Sequence, residues 1–67
     1  MEITVTENTW LICYNAEIYG VGNVTPMEAG ESVGVGMPDC EEHTNQQEAK
    51  NRAEELGISW PEPPPQP

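Results

Sequence analysis

Residues 9–14 read Thr-Trp-Leu-Ile-Cys-Tyr, an unbroken run of β-branched, aromatic and apolar side chains. A strand with one wet face alternates apolar with polar residues, so a run this continuous predicts the central strand of a sheet. Just after it, Asn15-Ala16 fits a two-residue turn because Asn tolerates positive φ, and 17–21 resumes as a strand. Together they form a local hairpin. On the other side Ile3 and Val5 alternate with Glu2, Thr4 and Thr6, giving a short first strand, and Glu7-Asn8 punctuates before the hairpin. The three strands join as a meander.

Beyond the hairpin the pattern breaks at Asn23, Pro26 and Gly30, so 22–30 reads as loop, and 32–35 forms a fourth short strand weakened by Gly34. Gly-Val-Gly occurs at 20–22 and at 34–36, too seldom for a repeat architecture; strand glycines where backbones approach closely account for it. A single helix follows. Asp39 with Glu42, and Thr44 with Gln47, each fit a cap residue with its partner three positions on, which places the start near 40 or near 45. Ala49, Ala53 and Leu56 share one stripe, with Lys50, Arg52, Glu54 and Glu55 opposed to it. Gly57 supplies a left-handed cap, and Ile58 folds back toward Ala53. Five of the seven residues from 61 to 67 are proline, so 61–67 reads as a polyproline II tail, with Trp60 as the hinge between body and tail.

The fold class is therefore α+β: a small three- or four-stranded antiparallel meander with one C-terminal helix and an extended Pro-rich tail, residues 1–60 forming one domain. With 67 residues, 36% of them hydrophobic, the core is thin. In chains below roughly 70–80 residues burial and chain entropy nearly cancel, so something besides the core helps to hold the fold.

Two Lys or Arg against twelve Asp or Glu leave a formal charge of -10. Lys50 and Arg52 alone cannot neutralise a phosphate backbone or hold an anionic membrane, so neither nucleic acid nor membrane is expected as a partner. No apolar run approaches the about 20 residues of a membrane span. The opening Met1-Glu2-Ile3-Thr4 lacks the basic and apolar regions of a secretory signal, which points to the cytosol or a particle assembled there. Two cysteines allow one disulfide, whereas small secreted scaffolds carry roughly four to eight cysteines; Cys13 reads as a small core residue rather than part of an oxidised framework.

Each common catalytic constellation is incomplete. Cys40-x-x-His43 has ligand-like spacing, but with Cys13 the chain offers only three sulfur or nitrogen ligands for zinc, so no metal or cofactor is expected. Ser32, Ser59 and His43 have neither a nucleophile elbow nor an oxyanion hole around them. Glu41-Glu42 and Glu54-Glu55 are adjacent pairs, unlike an acid and base flanking a bond. The glycine pairs lack the third glycine of a dinucleotide loop and the lysine of a phosphate loop, and Asn23-Val24-Thr25 is a glycosylation triplet without a signal sequence. A non-enzymatic chain is the expectation.

Two interaction surfaces compete. Trp60 with Pro61, Pro63, Pro64 and Pro65 offers a preformed extended arm for an aromatic groove or a neighbouring subunit. Glu41, Glu42, Glu54 and Glu55 offer an acidic face that could stand in for phosphates against a host defence or nucleic-acid enzyme. The Trp-Leu-Ile hairpin with Tyr14-Asn15 and Ile18-Tyr19-Gly20-Val21-Gly22, the Gly/Pro loop and the helix ending Glu55-Leu56-Gly57-Ile58 resemble small uncharacterised phage proteins of the accessory virion or tail type, over roughly residues 9 to 60. That resemblance implies a viral setting, in the virion or host cytoplasm, and a non-catalytic role. The expected partner is protein: another virion subunit, a host protein or a second copy of the chain.

Overall fold

The computed structural model describes residues 1–61; the proline-rich stretch beyond, with Pro63, Pro64 and Pro65, lies outside the described residues. The elements are β1 (Glu2–Thr4), β2 (Thr9–Tyr14), β3 (Gly22–Met27), β4 (Ser32–Gly34), β5 (Asp39–His43) and α1 (Gln46–Leu56). The class is α+β with antiparallel sheets, as the sequence implies, but with five strands rather than three or four.

The run at 9–14 is the central strand of a three-stranded sheet in the order β3-β2-β5. Because side chains alternate along a strand, its two faces feed two cores. Ile12 packs with Val24, Ala49, Ala53 and Ile58 under the helix, while Leu11 and Cys13 pack with Val5 and Met27 on the opposite face. That second face is covered by a two-stranded ribbon of β1 and β4, whose Ile3 and Val33 reach into it. The molecule is thus a helix, a sheet and a ribbon in three layers. The thinness expected of the core is divided between two small clusters.

Three assignments of strand and helix are corrected. The partner of β2 is Gly22–Met27, with Ile12 opposite Val24 and Tyr14 opposite Gly22, not 17–21. Residues 22–27 looked like loop because Gly22, Asn23 and Pro26 are poor strand formers. Pro26 is tolerated because β3 is an edge strand, and Val24 and Met27 are buried only once the register is set. Gly22 is needed at its place: a Cβ there would lie 2.5 Å from the Cys13 carbonyl and 2.8 Å from Ile58 Cδ1. Second, β1 pairs with β4, Ile3 opposite Val33, so the first strand does not join the hairpin in a meander. Third, of the two helix starts the sequence allows, the one near 40 is overturned, since Asp39 begins a strand, and the one near 45 holds. The helix starts at Gln46 behind Asn45, whose side-chain oxygen accepts from the Glu48 N–H at 3.0 Å; Asn45, rather than Thr44, is the cap.

The helix end is as expected. Gly57 is left-handed at φ 72°, and the Ile58 N–H donates to the Ala53 carbonyl at 2.9 Å, which turns Ile58 into the core. Buried Ala49 and Ala53 let the helix backbone approach the sheet closely. Lys50 and Arg52 flank this contact rather than oppose it. Lys50 Nζ lies 5.6 Å from the centre of the Trp60 ring and the Arg52 guanidinium 5.8 Å from that of Tyr14.

Candidate docking surface

Residues 15–21 connect β2 to β3. Asn15 Oδ1 accepts from the Glu17 N–H at 3.0 Å and the Asn15 carbonyl from the Ile18 N–H at 3.0 Å, so Asn15 starts a tight turn by its side chain and its backbone together. The loop is tied down at both sides. The Ala16 N–H donates to Asp39 Oδ2 at 3.1 Å, at the start of β5, and the Gly20 N–H donates to the Leu56 carbonyl at 3.1 Å, satisfying an otherwise orphaned group at the helix end. Across its base the Asn15 N–H donates to the Val21 carbonyl at 3.1 Å.

Fixed in this way, the loop turns its apolar side chains outward: Ile18 is 52% exposed, Tyr19 78% and Val21 39%. Tyr19 lies over the helix cap, so close that a Cβ on Gly57 would meet its ring at 2.6 Å. Scattered apolar residues on a surface are ordinary, but three within four positions on one hydrogen-bonded loop form a ready contact patch. Sequence reasoning missed it by placing 17–21 in a strand. The available signal was Asn15, which favours a side-chain-initiated turn over a bare two-residue hairpin.

Trp60, the expected hinge, packs on the body, its ring centroid 6.2 Å from that of Trp10 at an interplanar angle of 31°. Trp60 and Pro61 are half-buried, so the arm begins at the Trp10 end of β2. The loop at 15–21 leaves from the Tyr14 end. Of the expected arm only Trp60 and Pro61 are placed; Pro63, Pro64 and Pro65 lie outside the described residues.

The four carboxylates of the expected acidic face do not share one face: Glu41 and Glu55 meet at Arg52, whereas Glu42 lies on the other side of β5. Glu41 and Glu42 are neighbours on β5 and project from opposite faces, opposite Ile12 and Leu11 respectively. Glu42, Glu54 and Glu55 are exposed. Glu41 is turned in, between sheet and helix. Its Oε1 accepts from Arg52 Nε and from His43 Nε2, both at 2.8 Å, and its Oε2 accepts from the Tyr14 hydroxyl at 3.0 Å. Burial pushes the Glu41 carboxyl up, but these hydrogen bonds from His43, Arg52 and Tyr14, with the charge of Arg52, more than offset it, so it titrates below its ordinary value. The bond to Glu41, helped by Tyr14, in turn raises Arg52. A carboxylate held this firmly in its charged form acts as a clamp between β5 and α1, with Arg52 also reaching Glu55 Oε2 at 3.2 Å.

The alternation that splits Glu41 from Glu42 also splits Cys40 from His43. Cys40 faces the ribbon side opposite Cys13, and His43 faces the helix side opposite Trp10. Among the described residues no group of three or more His, Cys, Asp or Glu is placed to hold a metal ion, and no helix is long and apolar enough to cross a membrane. The described residues form open depressions, of which two stand out. One of about 570 Å³ is lined by Trp10, Pro26, Met27, Glu28 and Glu31, and one of about 370 Å³ by Leu11, Cys13, Asn23, Thr25 and Met37. No family model, no curated protein and no solved structure matches the chain.

Proposed function

We propose that this chain is a non-enzymatic protein–protein interaction module, an accessory structural component of a phage particle assembled in the host cytoplasm. The observation that carries the reading is the loop at 15–21, which holds Ile18, Tyr19 and Val21 in the open by hydrogen bonds from its own backbone to β5 and α1. A patch already fixed before contact loses little entropy on binding, and tyrosine is enriched among the residues that dominate interfaces. Trp60 packs on Trp10 at the other end of β2, and a grip by the proline stretch that follows it would be a second contact, to be tested separately. A chain with so small a core gains stability from any partner that binds only its folded form.

The test is to produce the full chain with Ile18→Ser and Tyr19→Ser during infection and to quantify it in purified particles by mass spectrometry. Two interface anchors together are expected to lower incorporation by about tenfold or more, while the wild-type chain is recovered in particles. Incorporation unchanged by the pair, or a wild-type chain missing from particles, would overturn the reading. Truncation after Pro61 examines the arm separately and leaves Trp60 in place. Binding to a host enzyme that collapses with added salt, and that Glu42→Gln with Glu54→Gln and Glu55→Gln abolishes, would instead support an acidic inhibitor.

A further inference from the structure

We infer that Cys13 and Cys40 are a redox-sensitive pair that closes to a cross-strand disulfide, fastening edge strand β5 to central strand β2. The two residues face each other in the β2–β5 register, and their Sγ atoms lie 2.6 Å apart although 27 positions separate them in the chain. Directly opposed residues on antiparallel strands have Cα atoms about 4.5–5.5 Å apart, inside the about 4.4–6.8 Å that a disulfide requires. Both thiols are free, Cys13 buried and Cys40 half-buried. Such a pair is no oxidised scaffold; it is one bond that can be made or broken on a finished fold. The inference does not depend on the docking role.

The two thiols are not equivalent. Burial, reinforced by the neighbouring Cys40, pushes Cys13 up to about 12, so the more accessible Cys40 makes the first attack. With a small disulfide such as glutathione disulfide as oxidant, the Cys40 thiolate bonds to one glutathione sulfur and expels the other glutathione as thiolate. Cys13 then loses its proton to solvent and attacks Cys40 Sγ, expelling the second glutathione. Two protein thiols are oxidised by two electrons and one glutathione disulfide is reduced to two thiols.

The full chain is equilibrated with glutathione disulfide, the remaining thiols are alkylated, and masses and melting curves are recorded before and after dithiothreitol. The expected product is a monomer two hydrogens lighter that takes up no alkylating agent. Its thermal midpoint lies about 10 °C or more above that of the reduced form, because the closed loop restricts the unfolded chain. Cys13→Ala is expected to stop at a glutathione adduct on Cys40, and Cys40→Ala to stay unmodified. The inference is overturned if both wild-type cysteines remain alkylatable in excess glutathione disulfide, or if the wild type yields only adducts or Cys40-linked dimers.

Discussion

On its helix side β2 buries Ile12 against two alanines and sets Tyr14 beside Arg52 and Glu41, the latter also held by His43; on its ribbon side Leu11 and Cys13 meet Val5, Met27 and a second thiol. Helix-side packing is close because Ala49 and Ala53 are small, and its margins are made of charge. The ribbon side has larger aliphatic contacts and no ion pair among the described residues. One strand thus carries two interfaces that answer to different solution conditions, acidity on one face and thiol redox state on the other. What they share is Ile12 and Leu11, adjacent in sequence and both essentially fully buried.

Truncating these two residues tests whether the faces are one cooperative unit. Leu→Ala or Ile→Ala at a site of this burial costs about 2–5 kcal/mol, a large part of the stability of so short a chain. If the layers fold together, Ile12→Ala and Leu11→Ala each lower the urea midpoint, and far-UV circular dichroism and tryptophan fluorescence report the same transition. If Leu11→Ala leaves the Trp10–Trp60 fluorescence transition untouched while the ribbon melts early, the comparison becomes one between two independently melting parts.

Acid separates the faces more finely. Glu41 titrates below its ordinary value in the folded chain, so its contribution to stability is complete above the unfolded value near 4.5 and is lost as pH falls through the folded value. Unfolding free energy is therefore expected to decline on the acid side, below about pH 4.5, with Glu41 contributing to the slope. Glu41→Gln should flatten that part of the profile and cost roughly 1–3 kcal/mol at neutral pH, because it weakens the charge-assisted bonds from Arg52 and His43. Cys13→Ala, on the opposite face, should leave the slope alone. An unchanged acid limb in Glu41→Gln would place the acid sensitivity elsewhere.

How much of this could be read from the chain follows from how local each signal is. The run at 9–14 and the Leu56-Gly57-Ile58 helix end contain their own causes, apolar continuity in one and a left-handed glycine in the other, and both stand as read. Residues 17–21 and 22–27 exchanged roles because their intrinsic preferences point the wrong way. Ile18, Tyr19 and Val21 have strand-like side chains, but their loop is bent by hydrogen bonds from the Ala16 and Gly20 N–H groups to Asp39 and Leu56, partners far away in sequence. Val24 and Met27 acquire burial only from the register with β2. The Glu41 clamp was hidden for the same reason, since nothing local announces that 39–43 is a strand lying under Arg52. Separating Cys40 from His43, by contrast, needed only the strand assignment, after which alternation does the rest.

The smallest effect concerns the two cations, both of which serve the helix face. Lys50 lies over Trp60, and an exposed cation–π contact of this kind contributes about 0.5–1 kcal/mol. Lys50→Met retains an apolar stem over the ring while removing the charge, so any loss measures the electrostatic part alone. The expected result is a fall in stability of at most about 0.5–1 kcal/mol, with a shift in Trp60 emission, and a deficit that shrinks as salt screens the wild-type contact. Arg52 over Tyr14 should behave differently on the same helix, because Glu41 and Glu55 also hold its guanidinium. Arg52→Met should therefore cost more and remain costly in high salt. Equal, salt-sensitive losses at both positions would mean that the Glu41 clamp adds nothing beyond the aromatic contact, and the helix face would then be held together by its alanines and rings alone.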